Sequence, residues 1–278
     1  LGQVNNEGFE FSLNTVNIRN KNFTWSSTFG LSHNKNTIKH LYYRYEDVLN
    51  EVGEVVGSKE VDDVNRGWFV GKDISAIWDH EFIGIWQEDE AEEAAKYGQQ
   101  PGDAKVRDVN GDYKITQEDK VFLGQETPKF RWSFRNEFTL FRNWDISLNL
   151  YSQMGHKQST TEYLNFFDNL GDYSNTYKRE YWTPENKSNS YARLKSTRPS
   201  NINPKKVINK GFIRLENISV SYRVPQQFAR KLMAKEISIY GTVRNVAVWA
   251  FDKEWDYWDP ETKGLLPRTF TFGASITF

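Results

Sequence analysis

The most restrictive feature of the chain is its final segment, Thr269–Phe278, in which apolar and polar side chains alternate at every position. Its apolar positions are Phe270, Phe272, Ala274, Ile276 and Phe278. Alternation with a period of two predicts a β-strand that has one apolar and one polar face. The alternation continues to a terminal aromatic residue, whereas the ends of soluble domains are usually polar and frayed. The segment is therefore typical of a transmembrane β-barrel strand, which faces lipid on one side and a polar lumen on the other.

The composition of the chain is compatible with this interpretation. Aromatic residues make up 15% of its 278 residues, although mean hydropathy is only −0.73. A barrel with a thin apolar belt, aromatic girdles and large polar loops has this combination, and so does an all-β carbohydrate-binding domain. The formal net charge of −1 argues against nucleic-acid binding. The absence of cysteine excludes disulfides and thiolate metal sites, and the absence of an apolar run of about 18 residues excludes a transmembrane helix.

Seven segments of the chain show the strand pattern, and their connections alternate between short and long. The predicted strands begin near Phe9, Phe23, Trp132, Trp144, Phe212, Ile237 and Thr269. The long connections span about 33–129, 155–210 and 249–267. Outer-membrane barrels have short periplasmic turns and long extracellular loops. We therefore predict an all-β fold, a transmembrane antiparallel β-barrel segment, with its long loops outside the cell and Phe278 in the periplasm.

The strand count predicts that residues 1–278 form only part of a barrel. Bacterial single-chain barrels have an even number of strands, whereas this chain has seven and its first strand would descend from the outside. We therefore expect the chain to be the C-terminal portion of a longer barrel. The alternative is a soluble β-sandwich with long insertions.

The segment Asp108–Asp119 has oxygen-bearing residues at the spacing of an EF-hand-like calcium loop. The predicted ligands are the side chains of Asp108, Asn110, Asp112, Thr116 and Asp119 and the main-chain carbonyl of Lys114. Two positions depart from the usual pattern, because Tyr113 replaces a glycine that permits a sharp turn and Asp119 replaces a longer, bidentate glutamate. The sequence predicts a Ca²⁺ site here, and the alternative is a turn held by Asx hydrogen bonds without metal.

Aromatic residues are concentrated in the second long connection. Exposed aromatic side chains stack on sugar rings or anchor protein partners. We predict ligand or partner contacts for Tyr163, Phe166, Phe167, Tyr173, Tyr181 and Trp182. The alternative is that this connection folds on itself and buries them. Upstream, Glu88–Gly98 is predicted to form a short helix that ends at Gly98.

No catalytic signature is present in the chain. The metalloprotease, serine-hydrolase, phosphate-loop and dinucleotide-binding motifs are all missing. The four histidines, His33, His40, His80 and His156, lack the spacing of helical metal ligands. We therefore predict that the protein is not an enzyme and binds no cofactor except Ca²⁺.

The order of short motifs along the chain resembles the C-terminal half of the barrel in SusC/RagA-family TonB-dependent outer-membrane transporters of Bacteroidetes-type bacteria. Any one motif is weak, but together they span nearly the whole chain. They are Gly8–Leu13, Phe23–Ser26, Gly84–Gln87, Tyr97–Asp103, Asp108–Asp119, Leu123–Gly124, Pro128–Lys129, Tyr181–Asn186, Phe212–Asn217, Tyr240–Asn245, Asp259–Glu261 and the terminal strand.

The resemblance implies a 22-stranded barrel whose N-terminal plug and remaining strands are absent from this sequence. It implies a multi-pass protein of the bacterial outer membrane that imports oligosaccharides or peptides and is energised through TonB. A SusD-like surface lipoprotein would cover the barrel as a lid, and the loop aromatics named above would contact this lid or the ligand. Dimers of such transporter–lipoprotein pairs are a further expectation. Phe278 resembles the signal that the barrel-assembly machinery recognises.

Two other functions are compatible with the residues. A secreted all-β domain that binds or cleaves glycans would bury a closed core within the chain. A small autonomous adhesion barrel would close on itself, so that Phe9–Leu13 would pair with Thr269–Phe278.

Overall fold

The computed structural model describes residues 2–160, 180–202, 204–255 and 258–278. The chain divides into two compact units. The sheet unit comprises Val4–Thr37, Thr127–His156 and Asn209–Phe278. The loop unit comprises Leu1–Gln3, Ile38–Glu126 and Lys157–Ile208. Most of the loop unit thus comes from the first two of the three connections that were predicted to be long.

The described residues contain fifteen strands and two short α-helices. The strands are β1 (Gln3–Arg19), β2 (Phe23–His40), β3 (Tyr45–Leu49), β4 (Val55–Glu60), β5 (Ala76–His80), β6 (Phe82–Ile85), β7 (Ala104–Val106), β8 (Lys120–Gln125), β9 (Phe130–Leu140), β10 (Trp144–Met154), β11 (Lys157–Thr160), β12 (Lys206–Asn209), β13 (Phe212–Arg223), β14 (Glu236–Ala250) and β15 (Thr269–Thr277). The helices are α1 (Ala91–Lys96) and α2 (Gln226–Ala229).

The seven strands predicted from the sequence form one sheet in the order β1-β2-β9-β10-β13-β14-β15. The pairings from β2 through β15 are antiparallel, and each strand lies beside the next one of the set along the chain. Within the described residues, β1 and β15 are the two edges of this sheet and do not pair with each other. The adhesion-barrel alternative required that pairing, so the observed topology is against it.

Residues paired across six strands of the sheet share the polarity of the residue at the same level of the terminal strand. One row of paired residues is apolar apart from one glycine and consists of Phe272, Gly241, Val220, Ile146, Phe138 and Trp25. The adjacent row is polar and consists of Thr271, Thr242, Ser219, Ser147, Glu137 and Ser26. Neighbouring strands place paired residues on the same face, so the sheet has one mainly apolar face and one polar face.

The apolar face of the sheet is exposed. Phe270, Phe272 and Phe278 are 60%, 81% and 74% exposed, and the β1 aromatics Phe9 and Phe11 are about half exposed. A soluble sandwich would pack such a face against a second sheet and bury it. The observed exposure therefore favours a face that contacts lipid over the core of a soluble domain.

One polar pair interrupts the apolar face, where Ser27 of β2 faces Asn136 of β9. Asn136 Oδ1 accepts hydrogen bonds from Ser27 Oγ and from Trp25 Nε1, both at 2.9 Å. Both polar side chains are buried beneath their neighbours. Polar groups on a face that contacts hydrocarbon must satisfy each other, and this cluster does so within the sheet.

The loop unit has a buried apolar core. It contains the strand pairs β3-β4, β5-β8, β6-β7 and β11-β12 together with α1. Its buried apolar residues include Ile38, Ile77, Ile85, Trp86, Ala94, Val106, Ile115 and Ile208. The predicted helix is confirmed as a 3₁₀ turn, Glu88–Glu90, followed by α1, and Gly98 adopts a φ of +68° just after the helix.

The structure adds detail to the first two of the predicted long connections. The connections predicted over 33–129 and 155–210 contain eight of the fifteen strands, which are too short for sequence alternation to identify. The first connection also begins later than predicted, because β2 continues to His40. Its last residues include Asn34, Lys35 and Asn36, which interrupt the alternation although the backbone stays extended. No helix among the described residues is long and apolar enough to cross a membrane.

Candidate functional site

The polar face of the sheet unit contains a depression of about 490 Å³ over strands β1, β2, β9 and β10. Gly30 and Ser133 form one paired row of this depression, and Ser32 and Arg131 form the next. A β-carbon at Gly30 would lie 3.0 Å from Ser133 Oγ, so a larger residue here would begin to fill the space. Small residues at the centre of the face thus create the cavity.

Larger polar side chains surround the depression. Glu10 and Arg131 supply opposite charges, and Tyr151 and Gln153 line it from β10. Tyr151 pairs with Ser133, and Gln153 pairs with Arg131, so both belong to the polar face. The lining can donate and accept hydrogen bonds and has no arrangement of nucleophile and base. Its chemistry is that of a binding surface.

A buried ion-pair cluster adjoins the depression. Arg214, on β13 opposite Tyr151, is 2% exposed. Its Nη2 donates to Asp259 Oδ2 at 2.6 Å and lies 3.4 Å from Glu261 Oε2. The guanidinium also lies over the rings of Phe212 and Tyr151. A buried cation must be paired, and Arg214 pairs with two acids from the connection between β14 and β15.

The same two acids hold the turn from which they project. Asp259 Oδ1 accepts the backbone N–H groups of Glu261 and Thr262, each at 3.0 Å. Glu261 accepts hydrogen bonds from Tyr151 Oη at 2.5 Å and from Gln153 Nε2 at 3.1 Å. The turn is thereby attached to the polar face, beside the depression. In the sequence, Asp259–Glu261 is only one of the motifs that carry the family resemblance, and its pairing with Arg214 was not predicted.

The predicted calcium loop lies in the loop unit and is a turn held by hydrogen bonds from backbone N–H groups to aspartate side chains. Asp108 accepts backbone N–H groups of Gly111 and Tyr113, at 2.7 and 2.9 Å. Buried Asp119 accepts those of Val109 and Thr116, at 2.8 and 2.7 Å. Such Asx contacts are those of the metal-free alternative, and they also shape loops that bind metal.

Tyr113, the departure at the usual glycine position, adopts the backbone conformation that a glycine would supply. Its φ is +62°, in the left-handed region. Its ring packs edge-on against Tyr97, with ring centroids 5.5 Å apart, and lies beneath Lys96 Nζ. Burial and a hydrogen bond to Asp108 raise the pKa of Tyr97 to about 12, so Tyr97 is a hydrogen-bond donor at neutral pH. These aromatic contacts hold the turn despite the strained backbone.

Calcium occupancy of this loop stays a prediction. No three Asp, Glu or His side chains converge on a common point in the part of the chain that the structure describes. EF-hand-like loops also use amide, hydroxyl and main-chain oxygens, which Asn110, Thr116 and Lys114 would provide.

We expect the full-length protein to release or absorb heat when titrated with Ca²⁺ if this loop binds the ion. Asp112→Asn should weaken binding at least about tenfold, because the loop's affinity depends on the number of charged ligands. The matched control is Glu118→Gln, which changes a neighbouring carboxylate that is not a predicted ligand. Isothermal titration calorimetry of the three proteins measures the difference. Equal binding by wild type and Asp112→Asn would assign any calcium to another site.

The aromatic residues predicted to contact ligand or partner have different positions. Tyr163, Phe166, Phe167 and Tyr173 lie outside the described residues. Tyr181 is 36% exposed, and its contact with a lid or ligand stays a prediction. Trp182 is 7% exposed and donates from Nε1 to Gln87 Oε1 at 3.0 Å. Its burial favours the alternative weighed above, in which the loop folds on itself.

Trp182 is part of a structural centre that joins several of the motifs carrying the family resemblance. A β-carbon at Gly102 would lie 2.4 Å from the Trp182 ring, so only glycine fits there. The adjacent Asp103 is fully buried. It accepts hydrogen bonds from Arg193 Nε at 2.9 Å and from the backbone N–H groups of Thr197 and Gln100. These motifs therefore build the core of the loop unit.

The chain is similar along its whole length to known receptors. It is 29% identical over 299 residues to TonB-dependent receptor P26 of Formosa agariphila and 25% identical over 312 residues to TonB-dependent receptor P3 of the same organism. Both alignments cover 100% of this chain and 29% of the relative. The chain thus spans less than a third of the length of these curated relatives. No protein-family model matches the chain.

Solved structures show the same fold. The RagAB peptide importer in its open-open state matches with a TM-score of 0.66 at 16% identity, covering 100% of this chain and 29% of that one. A second structure, of the RagAB peptide transporter, matches with a TM-score of 0.67 at 16% identity, covering 100% and 30%. The predicted resemblance to TonB-dependent receptors and the predicted antiparallel barrel fold are confirmed. The names of these relatives and structures are those of receptors and transporters. This agrees with the prediction of a transporter and not an enzyme.

Proposed function

We propose that residues 1–278 form the C-terminal part of an outer-membrane barrel that imports nutrients with energy supplied through TonB. The observation that supports this best is the two-faced sheet, whose apolar side is exposed and whose polar side contains the 490 Å³ depression. A barrel wall needs lipid contacts outside and hydrophilic groups inside. The similarity to TonB-dependent receptors adds the energy source.

The remaining strands and the plug would come from parts of the protein outside this sequence. Edge strands present unpaired N–H and C=O groups, and these cannot stay unpaired in hydrocarbon. Both β1 and β15 therefore require partner strands to close the barrel. Under this proposal the side chains of the polar face line the lumen, the short turns and Phe278 lie in the periplasm, and Phe278 serves in barrel assembly.

We infer further that the imported nutrient is an oligosaccharide or a peptide and that a SusD-like surface lipoprotein covers the barrel. The motifs shared with SusC/RagA-family transporters support the partner, and the RagAB peptide importer is a structural neighbour. The loop unit would then lie on the extracellular side, where Tyr181 would contact the lipoprotein or ligand. Dimers of transporter–lipoprotein pairs are part of the same proposal.

Uptake by cells that lack the gene tests the function. We expect such cells to lose accumulation of one class of fluorescently labelled oligosaccharide or peptide, and a plasmid copy to restore it. A protonophore should abolish the restored uptake, because TonB draws on the proton gradient. Unchanged uptake in the deletion strain, or hydrolysis of glycans by the purified protein, would contradict the proposal. Affinity purification of the tagged protein should recover a surface lipoprotein.

A further inference from the structure

We propose that Glu261 occupies a carboxylate-binding site on the polar face of the sheet, and that a carboxylate of the transported ligand displaces it. The site consists of Arg214, Tyr151 and Gln153. The chemical class of the ligand is therefore an acid, whether a peptide C-terminus or an acidic sugar. This inference rests on the proposed function, because it takes the polar face to be the ligand path.

The three groups around Glu261 form a donor set suited to a carboxylate. Tyr151 Oη donates to Oε2 at 2.5 Å, and Gln153 Nε2 donates to Oε1 at 3.1 Å. Arg214 Nη2 lies 3.4 Å from Oε2 and supplies the positive charge. Proteins recognise carboxylates with such a donor set, in which one cation and two neutral donors are directed at the two oxygens of one acid. Here the chain's own glutamate fills it.

The two acids beside Arg214 differ in how firmly they are held. The Asp259 side chain is 5% exposed, lies 2.6 Å from Nη2 and also caps its own turn. The Glu261 side chain is 34% exposed and lies 3.4 Å from the same nitrogen. Removal of Glu261 would therefore leave the buried cation paired with Asp259. Glu261 is the acid that can leave.

Arg214 also retains an unused donor. Its Nε is buried and has no hydrogen-bond partner among the described residues, although buried donors are nearly always paired. An arginine binds a carboxylate most strongly when two of its N–H groups donate together. Glu261 approaches only Nη2, because the turn at Asp259 and Pro260 fixes its backbone. A carboxylate that is not tethered to this turn is free to use Nε as well.

The depression supplies the route to this site. Tyr151 and Gln153 line its wall and also hold Glu261. A ligand in the 490 Å³ space therefore meets the same donors, and Arg131 in the lining adds a second positive charge. Glu10, on the opposite strand of the depression, disfavours an acid at its own end. The charges thus orient a carboxylate towards Arg214.

The test compares ligand binding by full-length wild type, Glu261→Ala and Glu216→Ala in detergent. Glu216 is the matched control, a partly exposed glutamate of β13 that accepts a hydrogen bond from Asn149 at 2.6 Å. The probes are galacturonate against galactose, and N-acetylalanine against N-acetylalanine amide. Each pair differs by the carboxylate alone, and the two pairs distinguish an acidic sugar from a peptide terminus. Isothermal titration calorimetry gives the affinities.

We expect Glu261→Ala to bind one acidic probe about tenfold more tightly than wild type. In wild type only the fraction of molecules whose site is not filled by Glu261 can bind the probe, and the apparent affinity is lower by that fraction. The neutral probes and Glu216→Ala should show no change. Tyr151→Phe added to Glu261→Ala should reverse the gain. Unchanged or weaker binding of both acids would overturn the proposal, and so would an equal gain for acidic and neutral probes.

Folding and function are read separately. Heat modifiability on gels checks that each variant retains a folded barrel, and Glu261→Gln, which keeps the side-chain size, replaces the alanine variant if that variant does not fold. Cells that carry wild type report uptake. Intact uptake with no gain of affinity in Glu261→Ala overturns only the carboxylate site. The proposed function is tested by whether the deletion strain loses uptake. That result does not depend on Glu261.

Discussion

Ile218→Arg is expected to destabilise the sheet unit by about 2–4 kcal/mol, the cost of an arginine on the lipid face near the middle of a barrel. Ile218 lies in the apolar row of β13, between Leu148 of β10 and Val243 of β14. A cation there contacts hydrocarbon, and neither neighbour offers a hydrogen-bond acceptor. Urea unfolding of the full-length protein in lipid vesicles, followed by tryptophan fluorescence, measures the loss.

The adjacent residue provides the control for this prediction. Ser219→Arg introduces the same side chain one position along the strand, on the polar face between Ser147 and Thr242. It removes the hydrogen bond between Ser219 and Thr242, so a loss of about 1 kcal/mol is expected. If both variants lose the same stability, the apolar face does not contact lipid and the barrel interpretation fails.

Asp103→Ala is expected to have the largest effect in the loop unit, a loss of about 3 kcal/mol in local unfolding free energy. The fully buried carboxylate accepts hydrogen bonds from Arg193 and from two backbone N–H groups. Without it, the Arg193 guanidinium loses its ion pair, and the backbone N–H groups of Gln100 and Thr197 lose their acceptor. Pulse proteolysis in urea measures the effect, because protease cleaves the opened loop unit while the barrel stays intact.

Glu93→Ala is the corresponding surface control. Glu93 pairs with Lys96 at 2.6 Å, but both side chains are nearly half exposed. Such pairs contribute between about 0 and 1 kcal/mol. Equal protease resistance of Asp103→Ala and wild type would show that the Asp103 network does not hold the loop unit together.

The strands of the large sheet could be predicted because their information is local. The alternation in Phe270–Phe278 and in Trp144–Leu150 reflects strands with lipid on one side and polar groups on the other. The polarity of each residue therefore indicates the face on which it lies. Successive strands of this set lie side by side, whether a short turn or a long connection joins them. The strands β3–β8, β11 and β12 were not predicted. They have three to six residues each, which is too few for a period of two to stand out from the sequence around them.

The candidate site was predicted only in part. A polar side that faces the lumen followed from the alternation, and the spacing of Asp108–Asp119 predicted either a calcium loop or a turn held by Asx hydrogen bonds. The cluster of Arg214 with Glu261 could not be predicted, because its residues are distant in sequence. The register of β10 and β13 places Arg214 opposite Tyr151, and Glu261 reaches both from the connection between β14 and β15. Burial of Trp182 depends in the same way on its contact with Gln87 of the loop unit.

The sequence by itself determined that seven strands each have an apolar and a polar side, because hydrophobic alternation is a property of neighbouring residues. It also determined the likeness to TonB-dependent receptors, through short motifs in a conserved order. Only the tertiary structure decided which polar residues meet. Pairing across β9, β10 and β13 brings Tyr151, Gln153 and Arg214 to one acid and leaves small residues beside them. Side chains far apart in the chain find each other through strand register, and no local pattern records it.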